Sequence, residues 1–145
     1  MIKNLIEYFE PEQEFYLEKV IYNRVEDQKD TTQDGKEYTL QCIDNITTSI
    51  SNDVLKILVQ RQLKFDPEGI FGLTVSFGAN LKFVESKKKE YDWNQIDLSN
   101  EFKINGGFVM GNLMSRISML VANITASFGQ APIVLPPGIN SNNME

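Results

Sequence analysis

One stretch of this 145-residue chain decides its fold: Phe71-Gly72-Leu73-Thr74-Val75-Ser76-Phe77-Gly78-Ala79-Asn80-Leu81-Lys82-Phe83. Every odd-numbered residue of the stretch is apolar, and every even-numbered residue is small or polar. Because successive side chains of a strand point to opposite faces, this alternation predicts a β-strand with one face in the core. The other face is predicted to be open or to meet a flat neighbour.

Three more strands are predicted before this one. The strand that immediately precedes it ends at the turn signal Asp66-Pro67-Glu68-Gly69, and a single arginine, Arg61, interrupts its apolar face. The other members of that face are Leu55, Ile57, Val59, Leu63 and Phe65. The second predicted strand carries Leu40, Cys42, Ile46 and Ile50 on one side. The first runs from Phe15 to Val25 and is partly apolar on both faces, and the polar stretch from Glu26 to Glu37 predicts a loop after it.

The two ends of the chain show helical spacing. Residues 1–12 form an amphipathic segment, for which we predict a helix of about two turns that Pro11 ends. A long helix is predicted after Gly106-Gly107, with Gly129 at its end and a proline-rich exit beyond it. Its apolar stripe consists of Val109, Leu113, Ile117, Leu120, Ile124 and Phe128, widened by Met110, Met114 and Val121. We expect Ile117, Leu120 and Ile124 to face the sheet and the two methionines to lie on the flank.

The predicted fold class is therefore α+β. A four-stranded antiparallel sheet is followed by a long polar crossover over residues 85–105 and by one long C-terminal helix. We expect residues 1–145 to form a single domain with a frayed tail at 140–145.

Composition excludes several functions. The net charge of −6 argues against a nucleic-acid partner, and no stretch is apolar enough to span a membrane. The first residues lack the features of a signal peptide, so a cytoplasmic protein is expected. The chain has no histidine and one cysteine, which excludes zinc sites and histidine-dependent catalytic triads. We predict no catalytic residue, no metal and no cofactor.

Two groups of side chains are candidates for binding. Tyr91, Trp93 and Phe102 are aromatic residues in the otherwise polar crossover, where they belong either to the core rim or to a binding groove. Met110 and Met114 belong to the helical core, to a subunit interface or to a surface that accommodates varied apolar partners. We predict that all five border one apolar groove that binds another polypeptide.

The order of elements and three local stretches resemble the SecB family of export chaperones. The stretches are Phe15 to Tyr22, Ala79 to Val84, and the helix sequence from Arg116 to Val121 that continues through Ser127 to Pro137. Family members similarly carry an arginine and Ile-Ser on the helix, a glycine at its end and an apolar exit that contains proline. The resemblance covers roughly residues 14 to 139.

The resemblance implies an ATP-independent holdase that forms homotetramers and binds unfolded polypeptides for export or stabilisation. The translocation motor is one implied partner. The stretch Asn23-Arg24-Val25 lacks the acidic residue expected after the first strand, so a labile antitoxin is a further candidate client. The competing hypothesis is a small apolar-ligand-binding or structural oligomeric subunit, with a pocket lined by the odd-numbered residues of the fourth strand. An enzyme is not expected.

Overall fold

The computed structural model describes residues 2–25, 37–129 and 131–139. Most of the predicted polar loop and the predicted tail at 140–145 lie outside these residues. Within the described ranges, no helix combines the length and the hydropathy needed to cross a bilayer.

A four-stranded antiparallel sheet forms the frame of the fold, as predicted. Its strands are β1 (Phe9–Arg24), β2 (Thr39–Ser51), β3 (Val54–Asp66) and β4 (Phe71–Phe83), and they lie in the order β1-β4-β3-β2. Short turns connect β2 to β3 and β3 to β4, so these strands are adjacent both in sequence and in the sheet. β1, the first strand of the chain, pairs with β4, the last. The strand with the strongest alternation therefore lies inside the sheet, and β1 is an edge strand.

The register of β3 and β4 separates an apolar face from a polar face. Ile57 lies opposite Ala79 and Leu63 opposite Leu73, and all four are fully or almost fully buried. On the other face Gln60 lies opposite Ser76, and Tyr16 of β1 lies opposite Gly78. The Tyr16 ring occupies the space that a Cβ atom at position 78 would need, so this position requires glycine for a close approach.

Three helices follow the sheet: α1 (Glu85–Lys88), α2 (Leu98–Asn105) and α3 (Gly107–Ala126). α3 packs across the apolar face of β4 and β3, and α2 contacts β2. The crossover is therefore not simply a polar loop. Two of its helical elements begin at aspartate caps. Asp92 accepts a hydrogen bond from the Asn94 amide at the start of the 3₁₀ turn Trp93–Gln95, and Asp97 accepts one from the Asn100 amide at the start of α2.

The predicted N-terminal helix is replaced by a single 3₁₀ turn, Leu5–Tyr8, and β1 begins at Phe9 instead of Phe15. Leu5 and Tyr8 are buried, so the segment does dock on its own domain. Pro11 ends no helix. It lies within β1, where the register is irregular between Phe9 and Gln13. A proline is tolerated there because an edge strand does not need every backbone donor.

The orientation of α3 corrects the predicted stripe. Ile117 is buried as expected, but Leu120 and Ile124 are only partly buried, whereas Met114 is almost fully buried. Met114 and Leu120 lie about 60° to either side of Ile117 on a helix. The methionine side of α3 therefore faces the sheet, and Leu120 lies on the opposite flank of the helix, partly exposed.

We expect Met114→Ala to lower the free energy of unfolding by about 2–5 kcal/mol, because the change removes buried side-chain atoms from a packed core. Ile104→Ala on α2 is a suitable control, since the Ile104 side chain is half exposed, and it should cost no more than about 0.5 kcal/mol. Urea denaturation of both variants measures the difference. Equal losses in the two variants would contradict the described orientation of α3.

Candidate functional site

An aromatic cluster joins the crossover to the start of β1 and the end of β4. Trp93 lies at its centre, with ring centroids 5.0 Å from Phe83, 5.4 Å from Tyr8 and 5.6 Å from Tyr91. The indole Nε1 donates a hydrogen bond of 2.8 Å to the Lys88 carbonyl. Both the apolar ring and its polar group are thus satisfied inside the fold.

Four of the five predicted client-binding residues are buried in the hydrophobic core. Trp93, Phe102, Met110 and Met114 are buried, and only Tyr91 exposes a substantial fraction, 39%, of its surface. Tyr91 and Trp93 are in contact, but the described chain has no open groove bordered by all five. Client contact by these residues remains a prediction, and four of them could make it only if the packing around them opened.

Tyr8 connects the aromatic cluster to the crossover. Its hydroxyl donates a hydrogen bond of 3.2 Å to Oε1 of Glu90. Burial, a hydrogen bond with Tyr91 and the negative charge of Glu90 raise the pKa of Tyr8 to about 12. The phenol is therefore neutral at physiological pH and contributes a stable donor rather than a charge.

A buried arginine forms the most densely bonded polar site of the described residues. Arg61 lies on the apolar face of β3, and its Nε and Nη2 atoms each donate a hydrogen bond of 2.8 Å to the carboxylate of Asp44 on β2. Asp44 and Arg61 lie directly opposite each other in the register of the two strands. Both side chains are almost completely buried, and the paired geometry is the bidentate one that suits a guanidinium.

The remaining donors of Arg61 reach past the sheet. Nη1 lies 3.2 Å from the Pro136 carbonyl oxygen and 3.4 Å from the Ser118 hydroxyl of α3, and Nη2 lies 2.8 Å from the Gly138 carbonyl oxygen. Burial by itself lowers the pKa of Arg61, but the hydrogen bonds and the charge of Asp44 outweigh that effect and raise it. Arg61 is therefore a permanent cation whose charge is matched within the sheet.

Residues 131–139, which we call the proline segment, lie beside α3 without regular secondary structure. The Ile133 amide donates a hydrogen bond of 2.7 Å to Thr125 Oγ1 of the helix. Ile133, Leu135 and Ile139 pack against the core, whereas 74% of the Val134 side chain is exposed. The segment thus covers part of the apolar face with alternate residues.

An exposed apolar surface lies along the edge strand β1, on the side of α3 opposite the proline segment. Leu17, Val20 and Tyr22 of β1 share the face that α3 covers on β4, but they lie beyond the helix and are about half exposed. On α3, Met119 is 66% exposed, and the Arg116 guanidinium lies 4.8 Å from the ring centroid of Phe15 on β1. An open depression of about 720 Å³ lies between helix and sheet, with Phe77, Met119 and Leu120 among its walls. We call this the β1–α3 surface.

Sequence reasoning missed the Arg61 site although a signal for it was present. Arg61 was the single charged residue in the apolar stripe of β3, and an inward arginine requires buried acceptors. Asp44 falls on the same side of β2 as Cys42 and Ile46, because all three are even-numbered. Each of the two strands thus carries one charged residue on its apolar side, and pairing Asp44 with Arg61 would have predicted their position opposite each other. The sequence around Ser118, Pro136 and Gly138 gave no indication that these residues would accept hydrogen bonds from Arg61.

Comparison with known proteins gives a likeness at the level of fold. No protein-family model matches the chain, and no curated protein matches it in sequence. A SecB-like chaperone of Mycobacterium tuberculosis, solved in complex with a ChAD peptide from the HigA1 antitoxin, superposes with a TM-score of 0.63 at 13% identity over 85% of this chain and 83% of that one. The chain has a SecB-like fold. A protein of unknown function from Streptococcus agalactiae gives a TM-score of 0.42 at 12% identity, with 88% of this chain and 98% of that chain covered.

Asp44→Asn should lower the free energy of unfolding by about 3–5 kcal/mol, because it leaves the buried Arg61 charge without its counterion. Asp53→Asn is the matched control: Asp53 pairs with Lys88 at 3.1 Å on the surface, and such pairs contribute less than about 1 kcal/mol. Thermal and urea denaturation of the two variants test the difference. A small effect at position 44 would show that Arg61 does not depend on Asp44.

Proposed function

We propose that this protein is an ATP-independent holdase chaperone of the SecB type that binds unfolded polypeptides. The observation that carries the proposal is the fold it shares with a SecB-like chaperone solved with a bound antitoxin peptide. Capture of an unfolded chain needs apolar surface and donors or acceptors for main-chain groups. It needs no catalytic residue, because binding alone opposes collapse and aggregation by mass action.

The packing of β4 bears on the competing hypothesis of a small-ligand pocket. A ligand pocket lined by the odd-numbered side chains of β4 was the competing hypothesis. Those side chains pack against the rest of the core, and Leu73, Val75, Ala79 and Leu81 are almost fully buried. No ligand space is open at these four side chains. Phe77 of the same stripe borders the open depression beside α3, which is a surface feature, and this favours a binding function that uses the surface.

We also propose that the β1–α3 surface joins copies of this chain into a homo-oligomer, with a tetramer favoured. β1 is a 16-residue edge strand with unpaired backbone groups and exposed apolar side chains, a combination that pairs readily with another strand. Met119 and the adjacent depression extend the apolar area onto the helix. A second copy that contributes the same surface would cover both.

The proposed partners follow from this assignment. The clients are unfolded polypeptides in the cytoplasm, and a labile antitoxin or a protein destined for the translocation motor would be a specific case. Nucleic acid is not a proposed partner, because the net charge is −6. No enzymatic activity and no cofactor are proposed.

The purified protein should suppress the heat-induced aggregation of an unrelated protein at near-equimolar ratio and without nucleotide. Light scattering during heating, with and without added ATP, measures this activity. An equal mass of a non-chaperone protein serves as the control. Suppression that required ATP, or that the control protein matched, would contradict the holdase proposal.

Leu17→Asp should dissociate the oligomer, because the new charge lies in the centre of the β1–α3 surface. Ile6→Asp introduces the same charge at a residue of equal exposure on the N-terminal turn, 55% against 52%, and should leave the oligomer intact. Light scattering coupled to size-exclusion chromatography gives the masses. A monomeric mass for the unmodified protein at micromolar concentration would contradict the assembly proposal.

A further inference from the structure

We propose that the groove now filled by the proline segment is the client-binding groove, and that the segment is an internal substitute for client. The inference rests on the proposed holdase function and assigns its binding site. The expected occupant is an extended, unfolded polypeptide with apolar residues at alternate positions.

The polar contacts of the proline segment are made to its main chain. Thr125 accepts from the Ile133 amide, and the Pro136 carbonyl accepts from Arg61 and from the Ser118 hydroxyl, the latter at 3.4 Å. Gly138 also presents a carbonyl oxygen to Arg61. Main-chain amides and carbonyls are the same in every polypeptide. A groove that holds its occupant through them does not depend on the sequence of that occupant.

The spacing of these contacts identifies an extended chain. Thr125 and Ser118 are seven residues apart on α3, about 10.5 Å along a helix. Their partners Ile133 and Pro136 are only three residues apart, which spans about 10 Å in an extended or polyproline chain. The segment therefore runs along the helix in the opposite direction and fully stretched, as an unfolded client would.

The apolar contacts have the period of an extended chain as well. Ile133 and Leu135 are half buried, and Val134 between them points to solvent. None of the three is fully buried, and the segment makes no ladder with the sheet. The contacts of the segment with the groove can therefore be replaced by those of a competing chain with similar side chains.

The central donor of the groove is held by a residue outside the proline segment. Asp44 accepts two hydrogen bonds from Arg61 and neutralises its charge within the sheet. The guanidinium is thus held with its remaining donors directed at the groove. An incoming carbonyl meets a prearranged donor and does not have to supply the counterion.

The test loosens the segment and measures competition in the full-length chain. Leu135→Ser weakens a half-buried contact, and Val134→Ser is the matched control at the neighbouring exposed position. The probes are a fluorescein-labelled peptide with the sequence of residues 129–139 and reduced, carboxymethylated α-lactalbumin, which is permanently unfolded. We expect Leu135→Ser to bind the labelled peptide at least fivefold more tightly than the unmodified protein or Val134→Ser. Excess unfolded α-lactalbumin should displace it, as measured by fluorescence anisotropy.

Three other outcomes overturn the assignment in distinguishable ways. Equal peptide affinity in all three proteins would show that the segment does not compete for the groove. Binding of α-lactalbumin without displacement of the peptide would place the client site elsewhere while the holdase function stands. Tight peptide binding by Leu135→Ser with no binding of α-lactalbumin to any of the proteins would overturn the holdase function itself. Ile133→Ala, which loosens the segment at a second point, should reproduce the order of affinities if Leu135→Ser folds poorly.

Discussion

A guanidinium buried under a helix must find an acceptor for each of its donors, and the arrangement around Arg61 follows from this requirement. Asp44 supplies the counterion from the neighbouring strand, which fixes the register of β2 and β3 at this point. The donors that remain can be satisfied only by groups outside the sheet. Ser118 and the carbonyls of the proline segment provide them, so strand, helix and segment meet at one side chain. Removal of any partner leaves a desolvated polar group, which is costly in the interior.

The sheet could be predicted from sequence because its signal is local. The alternation from Phe71 to Phe83 defines a strand with two unlike faces whatever surrounds it, and the turn at Asp66–Gly69 fixes its partner. The rotation of α3 could not be predicted in the same way. Apolar side chains cover more than a third of that helix, so Leu120 and Met114 were equally acceptable centres for its buried face. Only contact with β4 distinguishes them.

The burial of four of the five candidate binding residues could not be predicted for a related reason. Trp93 stands among polar neighbours in sequence, which gave it the profile of an exposed aromatic residue. Its ring partners include Phe83, at the end of the preceding strand, and Tyr8, near the other end of the described chain. Composition cannot reveal whether such partners exist. For Arg61 the sequence pattern was informative, because Arg61 was the one charged residue on the apolar face of β3. The structure places it at the centre of the polar site.

The contact between Tyr16 and Gly78 also constrains how this sheet can vary over evolutionary time. The outer end of the Tyr16 ring lies against the glycine, with the Lys56 ammonium 5.6 Å from the ring centroid. A larger residue at position 78 would push the ring off the sheet, and a small residue at position 16 would leave bare backbone beneath it. Tyr16 lies on the first strand and Gly78 on the last. We therefore expect substitutions at the two positions to be coupled, with an aromatic residue at position 16 accompanied by glycine at position 78.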